Sequence, residues 1–301
     1  FFFGDIAMDK GLQSDAALAL AKKESIEHMH GMSELQETMK CRPLLLRARI
    51  LDLNEKQQQH NVIESKQWTE KSTTKIIHFV RHGQGFHNLL ADIMSSQGHS
   101  WQQFSQTTEN PYVRPEILDA PLTEIGRQQA LAIQSRIRLC DTIPPPECIF
   151  LSPMCRTLQT GIFAFEQYLG TSVPFVAHEL LREETGVHIC DKRRSKSLQE
   201  VEFPQIDFTL IKTDDDTLFQ EDMRESKMQI GNRIYQFFEW LSQRPESCVA
   251  IVSHSGWLLT LFNGVCNHVE DESLKDWWQT GEMRSVEMEF STSASRSVME
   301  S

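Results

Sequence analysis

The stretch IIHFVRHGQGFHN, residues 76–88, decides how the rest of the chain is read. Its first half is apolar, β-branched or aromatic, which suits a strand buried on both faces. Its second half sets Arg81, His82, His87 and Asn88 among Gly83 and Gly85. A buried strand ending in so many hydrogen-bonding groups predicts an anion site. Glycine lets the backbone turn tightly beneath a ligand, and arginine offers forked donors to it.

Outward from this stretch the pattern alternates between strand and helix. Residues 148–151 (CIFL), 173–177 and 248–252 read as further strands, with a last one at 286–290. Helices are expected over 123–140, opened by Thr123 as a cap, from Pro153 to about Leu169, and over 221–244. Continuous apolar strands separated by helices predict an α/β fold, with a mainly parallel central sheet covered by helices on both faces. Ahead of residue 75, a loose apolar periodicity over 12–40 and a short run at 44–53 read as helical, and the polar segment 54–74 reads as a linker or an exposed helix. The expected organisation is a helical extension and linker over 1–74, a catalytic domain over 75–290 and a disordered tail over 291–301.

Charge and cysteine usage narrow the function. A formal charge of −12 excludes a broad basic face for nucleic acid or a membrane surface, though not a few arginines concentrated in one cleft. Seven cysteines without a C-x-x-C pair suit reduced thiols in a cytoplasmic setting rather than a disulfide framework or zinc site. No apolar run approaches the roughly 20 residues that span a bilayer. The chain begins with Phe1 rather than methionine, so an upstream targeting peptide stays open.

In such folds ligands bind beyond the carboxyl ends of the strands. Arg81 and His82 follow the first strand, Arg156 follows CIFL, Glu183 follows VPFVA, and His254 follows VAIV. These groups suit phosphoryl transfer. A neutral histidine attacks phosphorus, arginines hold the equatorial oxygens, a second histidine donates to them, and a carboxylic acid protonates the leaving oxygen.

The pieces VRHGQGFHN, LTEIGRQQA, SPMCRTLQT and VSHSG, in that order over residues 75–262, resemble the histidine phosphatase superfamily, its phosphoglycerate mutase-like branch in particular. The resemblance implies that His82 is phosphorylated and that Arg81, Arg156 and His254 hold the phosphoryl group, with Asn88 as a further donor. It implies Glu183 as the acid, with Glu179 and Glu184 close by as alternatives, and neither metal nor organic cofactor. The substrate expected is a small phosphorylated metabolite. A mutase, or a phospholigand-binding module without turnover, is the rival reading.

One segment departs from the mutases. Where they carry ERHYG around the acid, this chain reads REETGVHICDKRRS, which is more similar to plant, fungal and protist members. Within it Lys192, Arg193, Arg194 and Lys196 form the densest basic run, and Arg193 and Arg194 are expected to contact a second anionic group on the substrate. His78 and His87 are expected to support the site or core. Trp277 and Trp278 suggest packing or a lid, and residues 214–216 an exposed acidic loop.

Overall fold

The computed structural model describes residues 29, 31–51, 72–97 and 110–292. Along the chain come helix α1 (Met32–Met39), strands β1 (Leu44–Ile50) and β2 (Thr73–Arg81), then helices α2 (Phe86–Ser96) and α3 (Glu124–Leu139). There follow β3 (Cys148–Leu151), α4 (Cys155–Ala164), β4 (Phe175–Ala177), α5 (Lys196–Glu202) and α6 (Lys227–Ser242). The last elements are β5 (Cys248–Ser253), α7 (Ser255–Thr260), β6 (His268–Val269) and β7 (Met283–Thr292).

The seven strands form one sheet in the order β4-β3-β5-β2-β7-β1-β6. Only β7 runs against the others, being antiparallel to both β2 and β1. Alternation along each strand divides the core into two layers. Ile77, Phe79, Phe150, Val249 and Ile251 face α1, α6 and α7, while Val80, Ile149, Leu151 and Val252 face α3 and α4. This is the three-layer α/β arrangement expected from the sequence, because a sheet covered on both faces needs apolar side chains at even and odd positions alike.

Several local expectations are corrected. The helix expected over 44–53 is not formed where the chain is described: Leu44–Ile50 is a strand hydrogen-bonded between β7 and β6, and residues 52–53 lie outside the described residues. Leucine, arginine and alanine favour helix locally, but two waiting strand edges and the inward set Leu44, Leu46 and Ala48 decide otherwise. Together with α1, whose Met32, Leu35 and Met39 join the larger core, this strand makes the described part of the expected extension integral to the sheet and its packing. Residues 12–28 and most of the expected linker lie outside the described residues.

The helix expected from 221 starts at Lys227, where Ser226 and Gln229 form a capping box. The preceding residues are held as loop, with Glu225 N–H donating to Thr185 O at 2.9 Å. Ser291 and Thr292, expected in the tail, extend β7 opposite Leu45 and Leu44, and the rest of the expected tail lies outside the described residues. Among the described residues no helix is long and apolar enough to cross a membrane. All seven cysteines are free.

Candidate active site

Strand register assembles the site. Arg81 pairs with Ser253 across β2 and β5, so His82 and His254 leave adjacent strands side by side. Their ring centroids lie 5.0 Å apart. Leu151 pairs with Val252 on one side and Ala177 on the other, so β3 and β4 end at the same edge. Arg156 rises from the first turn of α4, which Asp119 caps by accepting Cys155 N–H at 2.7 Å. Arg81, His82, Arg156 and His254 are all buried, and the first three line a cleft of about 430 Å³.

The tautomers follow from the partners. His82 Nδ1 lies 2.7 Å from Gly83 O. A carbonyl only accepts, so Nδ1 carries the proton and Nε2 keeps its lone pair. Burial, with the charges of Arg156 and Arg81 beside it, holds the His82 pKa well below the usual imidazole range. Arg156 Nη2 lies 3.2 Å from His254 Nδ1 and can only donate, so His254 accepts there and donates from Nε2 to Ser152 Oγ at 2.7 Å. Burial and Arg156 likewise keep His254 neutral at ordinary pH.

The signature loop sits where two backbones touch. A Cβ on Gly83 would collide with Gly126 O, and one on Gly126 with Gln84 O. This is the physical content of LTEIG: Thr123 Oγ1 caps α3 by accepting Gly126 N–H at 3.1 Å, and Gly126 lets the helix end dock on the loop. Thr160 Oγ1 accepts Gly83 N–H at 3.0 Å and donates to Arg156 O at 2.6 Å, tying the loop to α4.

The carboxylates separate by their partners. Glu179 pairs with Arg182 and Arg193 and does not line the cleft. Glu184 lines it but pairs with Arg224 and Lys227. Glu183 also lines it, accepts N–H from Gly256 and Glu184 at 3.0 Å each, and has no salt bridge among the described residues. Its loop is pinned by Arg233, which donates to the carbonyls of Leu180, Arg182 and Glu183.

Asn88 lines the cleft and also braces α2, its Oδ1 accepting Gly85 N–H at 3.0 Å. Arg193 and Arg194 do not reach the cleft. Arg193 is buried, donating to Glu179 and to the carbonyls of Thr213, Asp214, Asp215 and Arg194. Arg194 pairs with Asp119 and Glu202. The acidic loop is likewise more than exposed surface: the side chain of Asp216 is buried against Arg182 at 2.6 and 2.8 Å. Trp278 stacks on Phe262 in the core, whereas Trp277 lines the cleft beside Arg81. His78, bonded to Ser285 and Pro144 O, is a core residue.

Sequence reasoning missed Asp191, Arg224, Lys227 and Tyr112, and read His87 as supporting only; all five line the cleft. The clue was the segment GVHICDKRRS, where Asp191 stood next to the more conspicuous basic run. His87 Nδ1 and Arg156 Nε are buried without hydrogen-bond partners among the described residues. Val187, also on the cleft wall, has φ 61, a rare conformation for a β-branched residue. No cluster of His, Cys, Asp or Glu among the described residues has metal-holding geometry.

A sequence profile of the histidine phosphatase superfamily (branch 1) matches residues 77–292. The chain belongs to this superfamily. Among its relatives is a phosphoglycerate mutase-like protein of Arabidopsis thaliana, 34% identical over 227 residues, covering 67% of this chain and 79% of the relative. Phosphoglycerate mutase-like protein 1 of the same plant is 30% identical, covering 67% and 76%. Among solved structures, ecdysone phosphate phosphatase from Bombix mori in complex with tungstate matches with a TM-score of 0.41 and 14% identity, covering 62% of this chain and 75% of that one. The four quoted motifs therefore sit in a member of the family they resemble.

Proposed function

We propose that this chain is a phosphatase that hydrolyses a small phosphomonoester through a phosphohistidine on His82. The observation that carries the reading is the His82–Gly83 hydrogen bond, which fixes the proton on Nδ1 and leaves Nε2 nucleophilic in a cleft lined by Arg81 and Arg156. Nε2 attacks phosphorus as the ester P–O bond breaks, and Glu183 gives its proton to the departing oxygen. Water then loses a proton to the Glu183 carboxylate and attacks phosphorus. The P–N bond breaks, returning neutral His82 and releasing inorganic phosphate.

Arg81 and Arg156 neutralise the transferred group, and Arg156 Nε and His87 Nδ1, without hydrogen-bond partners among the described residues, are further groups that a phosphoryl ligand could satisfy. Glu183 serves better as the acid than its neighbours because no salt bridge among the described residues fixes its charge. No separate cofactor is required by these steps. The free thiols support a reducing, cytoplasmic setting.

The mutase-like names of the relatives make phosphoryl return the second reading. Both readings require phosphate transfer to His82; they differ in the acceptor. Purified protein should release inorganic phosphate from phosphomonoesters and form an acid-labile phosphoenzyme, and His82→Ala should abolish both. Retained turnover in His82→Ala would overturn the mechanism. Isomerisation of a phosphoglycerate, dependent on a bisphosphate primer and faster than phosphate release, would favour the mutase.

A further inference from the structure

We infer that the cleft selects phosphomonoesters whose leaving group carries no second negative charge, and that Glu184 and Asp191 enforce this choice. The inference rests on the phosphatase reading and names its substrate class. The phosphoryl end of the cleft has Arg81 and Arg156, and Arg156 is already paired with Asp191, so one dianionic phosphoryl group uses all the cationic charge there. A substrate with a second phosphate or carboxylate would need further cations on the outer wall.

Those cations exist but are already neutralised. Arg224 Nη1 lies 2.9 Å from Asp191 Oδ2, and Arg224 Nε lies 3.3 Å from Glu184 Oε1. Lys227 Nζ pairs with the other Glu184 oxygen. The side chains of Lys227 and Glu184 are only 10% and 12% exposed, so water screens this pair weakly. Asp191 also pairs with Arg156, so these two carboxylates, Asp191 and Glu184, already engage Arg156, Arg224 and Lys227. A second anion must either break these pairs or approach the carboxylates directly.

The densest basic run offers no substitute. Arg193 and Arg194 are turned to Glu179, Asp119 and Glu202, away from the cleft. A neutral hydroxyl-bearing or aromatic leaving group meets no such penalty, and a cationic one can approach Glu184. Discrimination here works mainly by repulsion of the wrong substrate.

The test is a matched aryl series: phenyl phosphate, 4-(aminomethyl)phenyl phosphate, 4-carboxyphenyl phosphate and 1,4-phenylene bisphosphate. Wild-type kcat/KM should be at least roughly tenfold higher for the first two than for the last two. Glu184→Gln, which releases Lys227 from its carboxylate, should narrow that ratio by about the same factor. Equal kcat/KM across the series, or preference for the bisphosphate, would overturn the inference and leave the phosphatase reading standing. If no probe releases phosphate, that reading fails, and dissociation constants of the same four probes for the wild-type protein decide the selectivity. Should Glu184→Gln not fold, the wild-type order alone decides it.

Discussion

Asp191 and Arg156 form a buried salt bridge, Oδ1 to Nη2 at 2.8 Å, in the wall of the cleft. A site built to hold phosphate thus carries its own anion against one of its arginines. Arg156 also donates to Cys190 O at 2.7 Å, so two neighbouring residues of one 3₁₀ turn fix the guanidinium. Arg224 and Arg156 together hold the Asp191 carboxyl below the usual range despite its burial. Removing it leaves Arg156 and Arg224 short of charge. Asp191→Ala should lose about 3–5 kcal/mol of stability. Because phosphate can supply the missing charge, inorganic phosphate should raise the Tm of Asp191→Ala more than that of the wild type. Thermal unfolding with and without phosphate measures it, and an equal shift in both proteins would contradict the pairing.

Arg193 tests the difference between a substrate contact and an internal brace. All its hydrogen bonds run to the protein, four of them to carbonyls on the 194 and 213–215 segments. Arg193→Ala should lower Tm, costing about 1–3 kcal/mol for the polar groups left unsatisfied. KM for a phosphomonoester should stay within about twofold, since a residue outside the cleft contributes no differential binding. A large rise in KM for a bisphosphorylated substrate without loss of stability would restore Arg193 as a ligand contact.

Gly126 should be intolerant of even one added methyl. Its Cβ would meet Gln84 O in the signature loop, and backbone atoms cannot step aside as a flexible side chain can. Gly126→Ala should cost about 1–3 kcal/mol and weaken vanadate binding in the folded protein. Circular dichroism melts and vanadate inhibition report the two effects separately. A variant with normal Tm and normal inhibition would show that the close approach is not required.

The pH dependence follows from the histidines. Neutral His82 is the nucleophile, and its depressed pKa means that protonation sets in only well below the usual value of about 6.5. The acid limb of kcat/KM should therefore lie below that value, and a limb centred above it would contradict the assignment. Stability should change in the same direction. His178 is pushed down to about 4, chiefly by burial, and His78 is lowered too. Between 6.5 and about 4, His178 binds a proton in the unfolded chain but not in the fold. The contribution of His178 to stability should thus fall as pH drops through this window, by up to about 1.4 kcal/mol per unit, and His78 acts in the same direction below 6.5. Denaturant titrations at several pH values check the slope.

The sheet that carries the site was legible because its strands advertise themselves. In IIHFVRH and VAIVSHS the apolar run and the functional residue are contiguous, so locating the strand locates the histidine. Arg156 was legible for a similar reason, standing on the first turn after CIFL. The strand Leu44–Ile50 was not, because its pairing partner β7 lies more than two hundred residues later and no local signal announces it. Helix-favouring residues there defer to hydrogen bonds that only the assembled sheet supplies.

By itself the sequence determined the layered α/β architecture and the strand-end placement of Arg81, His82, Arg156, Glu183 and His254. These follow from local periodicity, which acts over a few residues. Only the tertiary structure decided which charges face the ligand. It turned Arg193 and Arg194 onto Glu179, Asp119 and Glu202, and brought Arg224 and Lys227 to Asp191 and Glu184. A cation's availability depends on which carboxylates and carbonyls folding sets beside it, and those partners come from segments far apart in the chain.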